Sequence, residues 1–248
     1  GFDSGVLFDL EGIAGDSNRV ARVEIYEKHE SDADYPATAA KTLTPGPAAT
    51  AYTWNTYSDA EKFPTRRDPS DPTKLLSGTY TYKIIVYDGS SSDLRATKKV
   101  TKEFSVGVDL GAPVVTISGP GEEGEILSGA TYAFSGRVRD LGGSAATGVA
   151  TVEYAITSGT QSTEPASWTT ITKSTDGETE ASWNTSSYTL NEGHTNGGDG
   201  TATASLDEGS YKIWVRATDK AGNRTTVAET RGFKADKSVP EVNWAGGV

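Results

Sequence analysis

The chain contains no cysteine and no methionine, only two histidines, and no apolar run long enough to cross a membrane as a helix, which takes about 20 residues. Without cysteine, disulfide staples, thiol nucleophiles and thiolate zinc sites are excluded together, so the fold must hold by packing. A chain without methionine does not start at its own initiation codon, and is expected to be a processed product or a piece of a longer one. No basic-then-apolar leader segment stands at Gly1. The two histidines, His29 and His194, fall in loop-like stretches and read as solvated residues. Positive charge is also scarce. Lys and Arg number 23 against 34 Asp and Glu, a net charge of −11, which opposes binding to phosphate backbones and anionic lipid surfaces. Neither nucleic acid nor a membrane is an expected partner. No nucleophile with a base, metal cluster or carboxylate pair stands out, so catalysis is not expected. Gly119-Pro120-Gly121-Glu122-Glu123-Gly124 spells a dinucleotide fingerprint. No helix follows it and two carboxylates would face the phosphates, so it reads as a turn.

What is present is a repeat. At 248 residues the chain accommodates two domains of roughly 100–125 residues, each able to bury a core, and it matches itself with a period of about 125–130 residues. Leu10-Glu11-Gly12 falls opposite Phe134-Ser135-Gly136, Val20-Ala21-Arg22-Val23-Glu24 opposite Val149-Ala150-Thr151-Val152-Glu153, and Trp54-Asn55-Thr56 opposite Trp183-Asn184-Thr185. Gly78 and Tyr80 with Asp88 answer Gly209 and Tyr211 with Asp219, and Phe104, Asp109 and Pro113 answer Phe233, Asp236 and Pro240. Residues 113–117 therefore recur as residues 240–244. The expected units are residues 1–110, lacking a first strand, residues 111–238, and residues 239–248 as the start of a third repeat or a closing strand. Both ends then cut through a unit, which favours a piece of a longer array.

The matching segments alternate apolar and polar residues, are rich in Val, Ile, Tyr and Thr, and are separated by Gly, Asp, Asn and Pro; these are marks of half-buried strands. The expected fold class is all-β. Val6, Phe8 and Leu10 should point inward, as should Tyr132 and Phe134, then Ala21, Val23 and Ile25 with Ala150, Val152 and Tyr154. The strongest strands carry Tyr80, Tyr82, Ile84 and Val86 inward in one repeat, and Tyr211, Ile213, Val215 and Ala217 in the other. Gly-x-Tyr at the start of both resembles the tyrosine corner of Greek-key sandwiches, whose hydroxyl returns to the backbone. With the stretches Tyr211-Lys212-Ile213-Trp214-Val215 and Asp219-Lys220-Ala221-Gly222-Asn223 and the linker Asp236-Lys237-Ser238-Val239-Pro240, the chain resembles the bacterial immunoglobulin-like repeats of surface and secreted proteins. The resemblance implies two tandem immunoglobulin-like β-sandwiches of about seven strands each, an extracellular or cell-surface location, and neighbouring repeats of the same parent chain as partners. The first repeat departs from it after Asp88, reading Gly89-Ser90-Ser91-Ser92-Asp93.

Two groups of residues are candidate sites. In the implied topology the loops after the second and sixth strands lie at the pole that receives the linker. Asp109, Asp140, Asp219 and Asn223 are thus candidate metal ligands at the junction, with Asp59, Asp68 or Asp71 within reach, and hard oxygen ligands of this kind suit calcium. The competing explanation is turn chemistry, in which the carboxylates bind nearby backbone amides. The second group is aromatic. Trp54, Trp183 and Trp168 read as core or rim packing, whereas Trp214 alternates with inward Ile213 and Val215 and so points outward. With Arg216 beside it, and Tyr26, Ile85 and Tyr87 on the matching face of the first repeat, it forms a candidate surface for a host protein or glycan. The insertions at residues 56–76 and 185–207 are long enough to cover such faces, and residues 191–200 read as a mobile tip. The functions in view are a spacer repeat stiffened by calcium, an adhesin or carbohydrate-binding module, and an accessory domain of a larger secreted enzyme.

Overall fold

Alternation along residues 20–29 produces a single long strand whose inward side chains include Val23 and Ile25, both fully buried. The computed structural model describes residues 7–17, 19–46, 50–57, 62–89, 99–171, 178–191 and 205–238. Among these, the regular elements are strands apart from one short turn of 3-10 helix, Gly143–Ala145. Val6, Asp59, His194, the tip at residues 192–200 and residues 239–248 lie outside the described residues. The chain divides into two compact units, Gly1–Leu110 with Gly142–Ala146, and Gly111–Leu141 with Thr147–Val248.

The first unit contains β1 (Glu11–Gly15), β2 (Val20–His29), β3 (Lys41–Leu43), β4 (Ala51–Asn55), β5 (Arg67–Asp68), β6 (Asp71–Leu75), β7 (Gly78–Asp88) and β8 (Lys99–Val108). β1 pairs with β4, and the larger sheet runs β3-β2-β7-β8, with β5 and β6 forming a hairpin. The second unit contains β9 (Val114–Gly119), β10 (Glu125–Leu127), β11 (Thr131–Tyr132), β12 (Ser135–Arg139), β13 (Val149–Ser158), β14 (Thr169–Ile171), β15 (Glu180–Asn184), β16 (Tyr188–Leu190), β17 (Ser205–Leu206), β18 (Gly209–Asp219) and β19 (Glu229–Ala235). Its main sheets are β15-β12-β9 and β10-β19-β18-β13-β14, with a small β11-β16-β17 sheet. Each unit is an all-β sandwich. The strands outnumber the expected seven because segments of two or three residues, too short to show a period, also pair.

The two cores repeat the same devices. Gly12 is in register with Trp54, and Gly136 with Trp183. A β-carbon at either glycine would lie 2.6 Å from the facing indole, so only glycine lets the ring lie flat over the neighbouring strand. Two residues on, a threonine bonds the opposite chain. Leu10 N–H donates to Thr56 Oγ1 at 3.0 Å and Phe134 N–H to Thr185 Oγ1 at 3.1 Å. The tyrosine corner forms twice: Tyr80 hydroxyl donates to Leu76 carbonyl at 2.6 Å, and Tyr211 hydroxyl to Asp207 carbonyl at 3.0 Å. Phe8 and Leu10 face the first core as expected, and Phe134 is fully buried in the second. One inward assignment is corrected. A bulge between Val20 and Arg22, repeated between Val149 and Thr151, places Val20 and Val149 in the core and leaves Ala21 and Ala150 half-buried.

Burial raises the phenols of Tyr80, Tyr82 and Tyr188 above their ordinary value, with help from the Glu27 carboxylate at the first two and from the Tyr154 hydroxyl at the third. A phenol that holds its proton more tightly folded than unfolded contributes stability that is complete below the unfolded pKa, about 10, and is lost as pH rises beyond it. Alkaline titration should therefore leave these three phenols un-ionised near pH 10, and release their phenolate absorbance in a cooperative rise coincident with loss of structure. Replacing Tyr80 or Tyr211 by Phe keeps the ring and removes the corner bond. Each change should cost about 1 kcal/mol in urea denaturation.

Candidate functional site

The acidic positions sit at strand ends. Asp109 follows β8, where Ser77 Oγ donates to Val108 carbonyl at 3.0 Å and accepts from Leu110 N–H at 3.2 Å, pinning the backbone on either side. Asp140 follows β12, and its Oδ2 accepts from Gly148 N–H at 2.7 Å. Asp219 ends β18 and closes a turn in which Asn223 donates its backbone N–H to Oδ1 and its side-chain amide to Oδ2, both at 2.8 Å. All three aspartates are buried, and Asp140 and Asp219, both in the second unit, bring carboxylate oxygens to within 4.8 Å of each other. Asn223 donates to Asp219 through its backbone N–H and its side-chain amide, bonds of the kind turn chemistry predicts. Asp68 accepts from Ser70 in its own turn.

The first unit has Asp16 and Asp88 at the corresponding strand ends. Arg19 N–H donates to Asp16 Oδ1 as Gly148 N–H does to Asp140, and Gly89 N–H donates to Arg19 carbonyl as Lys220 N–H does to Gly148. Asp88 Oδ1 is buried without a hydrogen-bond partner.

The aromatic faces differ from expectation. Trp214 does lie on the face opposite the core, but it is only 7% exposed, and its indole N–H donates to Thr157 Oγ1 at 2.9 Å. The loop between β13 and β14 crosses this face. Lys212 donates to Gln161 carbonyl at 2.7 Å, and Arg216, bonded to Glu153 at 2.8 Å, packs 4.0 Å from the Trp168 ring centre. Trp214, bracketed by these contacts of the β13–β14 loop, is not an exposed surface anchor. In the first unit Ile85 is also buried. Tyr26 and Tyr87 are half-buried under cations: Lys83 lies 4.8 Å from the Tyr26 ring and 3.9 Å from that of Tyr35, while Arg22 lies 3.8 Å from Tyr87. Burial and the bonded Glu24 push the Tyr26 phenol up to about 12.

A third group escaped the sequence reading. His29 is no loop residue but the buried end of β2, 4% exposed. Its Nδ1 lies 2.8 Å from Ser31 Oγ and 3.1 Å from Ser31 N, and its Nε2 lies 3.1 Å from the Ser77 carbonyl oxygen. Glu27, one inward position earlier, accepts from the backbone N–H of Thr65 and of Arg66, from Thr65 Oγ1 and from Tyr82 hydroxyl, at 3.0–3.1 Å. A cavity of about 620 Å³ opens beside both residues. Their polar atoms are nonetheless engaged in framework bonds. The available signal was parity, since Glu27 and His29 continue the inward series of Val23 and Ile25.

No family model matches the chain, and no curated protein matches it. Among solved structures it is similar to dimeric latent PorU from Porphyromonas gingivalis, with a TM-score of 0.32 and 11% identity over 94% of this chain and 22% of that one, so it spans about a fifth of that protein's length. It is also similar to domains 4 and 5 of the S-layer protein SbsC, with a TM-score of 0.26 and 14% identity over 91% of this chain and 97% of that one.

Trp214 provides a direct check on the covered face. Trp214→Ala should destabilise the second unit by about 3 kcal/mol in urea denaturation, as loss of a buried tryptophan does. An exposed anchor would cost less than about 0.5 kcal/mol.

Proposed function

We propose that the chain is a non-catalytic spacer of an extracellular surface protein, built from immunoglobulin-like repeats and stiffened by calcium at Asp109, Asp140 and Asp219. One observation carries the spacer reading: what the two units share is framework. The glycine under an indole, the threonine clamp and the tyrosine corner all recur, whereas the Glu27 and His29 cluster belongs to one unit and is spent on holding it. Duplication that preserves packing while leaving polar clusters unmatched is what selection for shape produces. The aromatic-face adhesin loses support with Trp214 covered.

The calcium part rests on the carboxylate group. The buried carboxylates of Asp140 and Asp219, within 4.8 Å of each other in the second unit, repel when charged. A calcium ion takes six to eight oxygens, and water or backbone carbonyls would complete its shell. The mechanism is mechanical: the ion cancels the repulsion and ties together the strand ends after β8, β12 and β18. Calorimetric titration of the whole chain should show saturable calcium binding, lost in Asp109→Ala and in Asp219→Ala. At calcium a hundredfold above Kd, stability should rise by about 2.7 kcal/mol, and small-angle scattering should report a longer, stiffer particle. Absence of heat and of any change in melting temperature would remove the ion from the proposal. Saturable binding to a glycan or protein array, abolished by surface substitutions, would overturn the spacer reading itself.

A further inference from the structure

The second sandwich carries a polar cavity where its two main sheets end side by side. β14 is the last strand of the five-stranded sheet and β15 the last of the three-stranded one. Between these edges lies a cavity of about 270 Å³, bordered by Tyr154 of β13, by Thr169 and Thr170 of β14, and by Asn184, Thr185 and Ser186 where β15 ends. Tyr154 is 9% exposed and Tyr188 3%, and their hydroxyls meet at 2.6 Å. Two hydroxyls carry two protons, and the bond between them uses one. No described residue accepts the other. Burial and the bond to Tyr154 raise the Tyr188 phenol above its ordinary value, so it keeps its proton. Of the two tyrosines only Tyr154 borders the cavity. With Tyr188 donating to Tyr154, the Tyr154 proton is left for the cavity, as a buried donor that costs free energy until an acceptor arrives.

The fold itself does not require this hydroxyl. Tyr154 pairs with Val215 on β18 as Ile25 pairs with Ile84 on β7, and Val215 and Ile84 stand equally far along from the corner tyrosines Tyr211 and Tyr80. A fully buried isoleucine therefore serves the same place in the first core. The other groups around the cavity are also unspent. Thr169, Thr170, Asn184 and Ser186 are exposed, and their side chains bond no described residue. Thr185 is the exception, committed to the Phe134 N–H and the Ser186 carbonyl. No side chain bordering the cavity carries a charge at neutral pH, which favours an uncharged ligand over an ion. Hydroxyls and a carboxamide both donate and accept, and so does each hydroxyl of a sugar. The volume falls just under the roughly 300 Å³ at which sites for drug-sized ligands begin, which is room for one ring.

The geometry points to a binding site for a single neutral sugar ring between β14 and β15, with the Tyr154 hydroxyl donating to a sugar oxygen and Thr169, Thr170, Asn184 and Ser186 bonding the sugar hydroxyls. The ring is either a free monosaccharide or the end of a glycan, and only the second would replace the spacer reading. The site needs no calcium.

The test is a titration of the full chain with free neutral hexoses and N-acetylhexosamines, followed through backbone amide NMR shifts. Saturable shifts should appear at Thr170, Asn184 and Ser186, with a Kd on the order of 1 mM for so small a ligand. Their counterparts Thr42 and Asn55 in the first unit, where Ile25 replaces the tyrosine, should not move. Tyr154→Phe should weaken binding about tenfold, the worth of one hydrogen bond from a buried donor, and Asn184→Ala, at an exposed position, should weaken it with an unchanged urea midpoint. Shifts absent across the whole panel overturn the proposal, as do shifts that both variants leave unchanged or that appear equally at Thr42 and Asn55. An array of immobilised glycans separates the two sources. Array binding lost in Tyr154→Phe supports the site and assigns it to a glycan end, whereas a silent array beside saturable shifts in solution supports it and assigns a free sugar.

Discussion

Both sandwiches depend on an indole lying over a missing side chain. With no disulfide to join the sheets, the inner faces must interlock closely, and Trp183 is the largest of the fully buried side chains. It reaches that state because Gly136, in register on the next strand, presents no β-carbon to hold the ring off. A flat indole leaves the rest of the layer free to be filled by Phe134, Val138 and Val215 at crystal-like density. The threonine two residues after the tryptophan then fixes where the chain leaves the sheet. Trp54, Gly12 and Thr56 repeat the arrangement on a smaller core.

The tyrosine corners extend this logic to the long strands. Anchoring Tyr80 and Tyr211 to carbonyls four residues upstream sets the entry of β7 and β18, and the equal run from each glycine to its aspartate carries that register to the far end. Asp88 and Asp219 are thus placed by the same bond that starts the strand. Between those ends, even the polar residues that face inward are treated as core. Glu27 collects its donors from one segment near Thr65 and from Tyr82, holding an irregular stretch against the sheet more effectively than an apolar side chain could.

Much of this was legible because it is periodic or duplicated. A two-residue period gives parity, and a second copy at a fixed offset shows that Tyr80 and Tyr211 begin equivalent strands. Bulges break parity locally, which is why Val20 displaced Ala21 from the core without leaving a mark in composition. Trp214 shows a different limit. Its outward direction follows from alternation, but its burial depends on where the loop carrying Gln161 and Trp168 folds, and loop paths have no period. Of the acidic candidates, the strand-end placement of Asp109, Asp140 and Asp219 followed from topology. Asn223 read the same way in sequence, and its two bonds to Asp219 emerge only from the path of the turn that carries it.

The second unit shows how a sandwich closes. One segment at the start of that unit serves both of its sheets, first as β9 against β12 and then as β10 against β19. Such a segment seals two edges at once, bringing Val115 and Ile117 into the core from one sheet and Leu127 from the other.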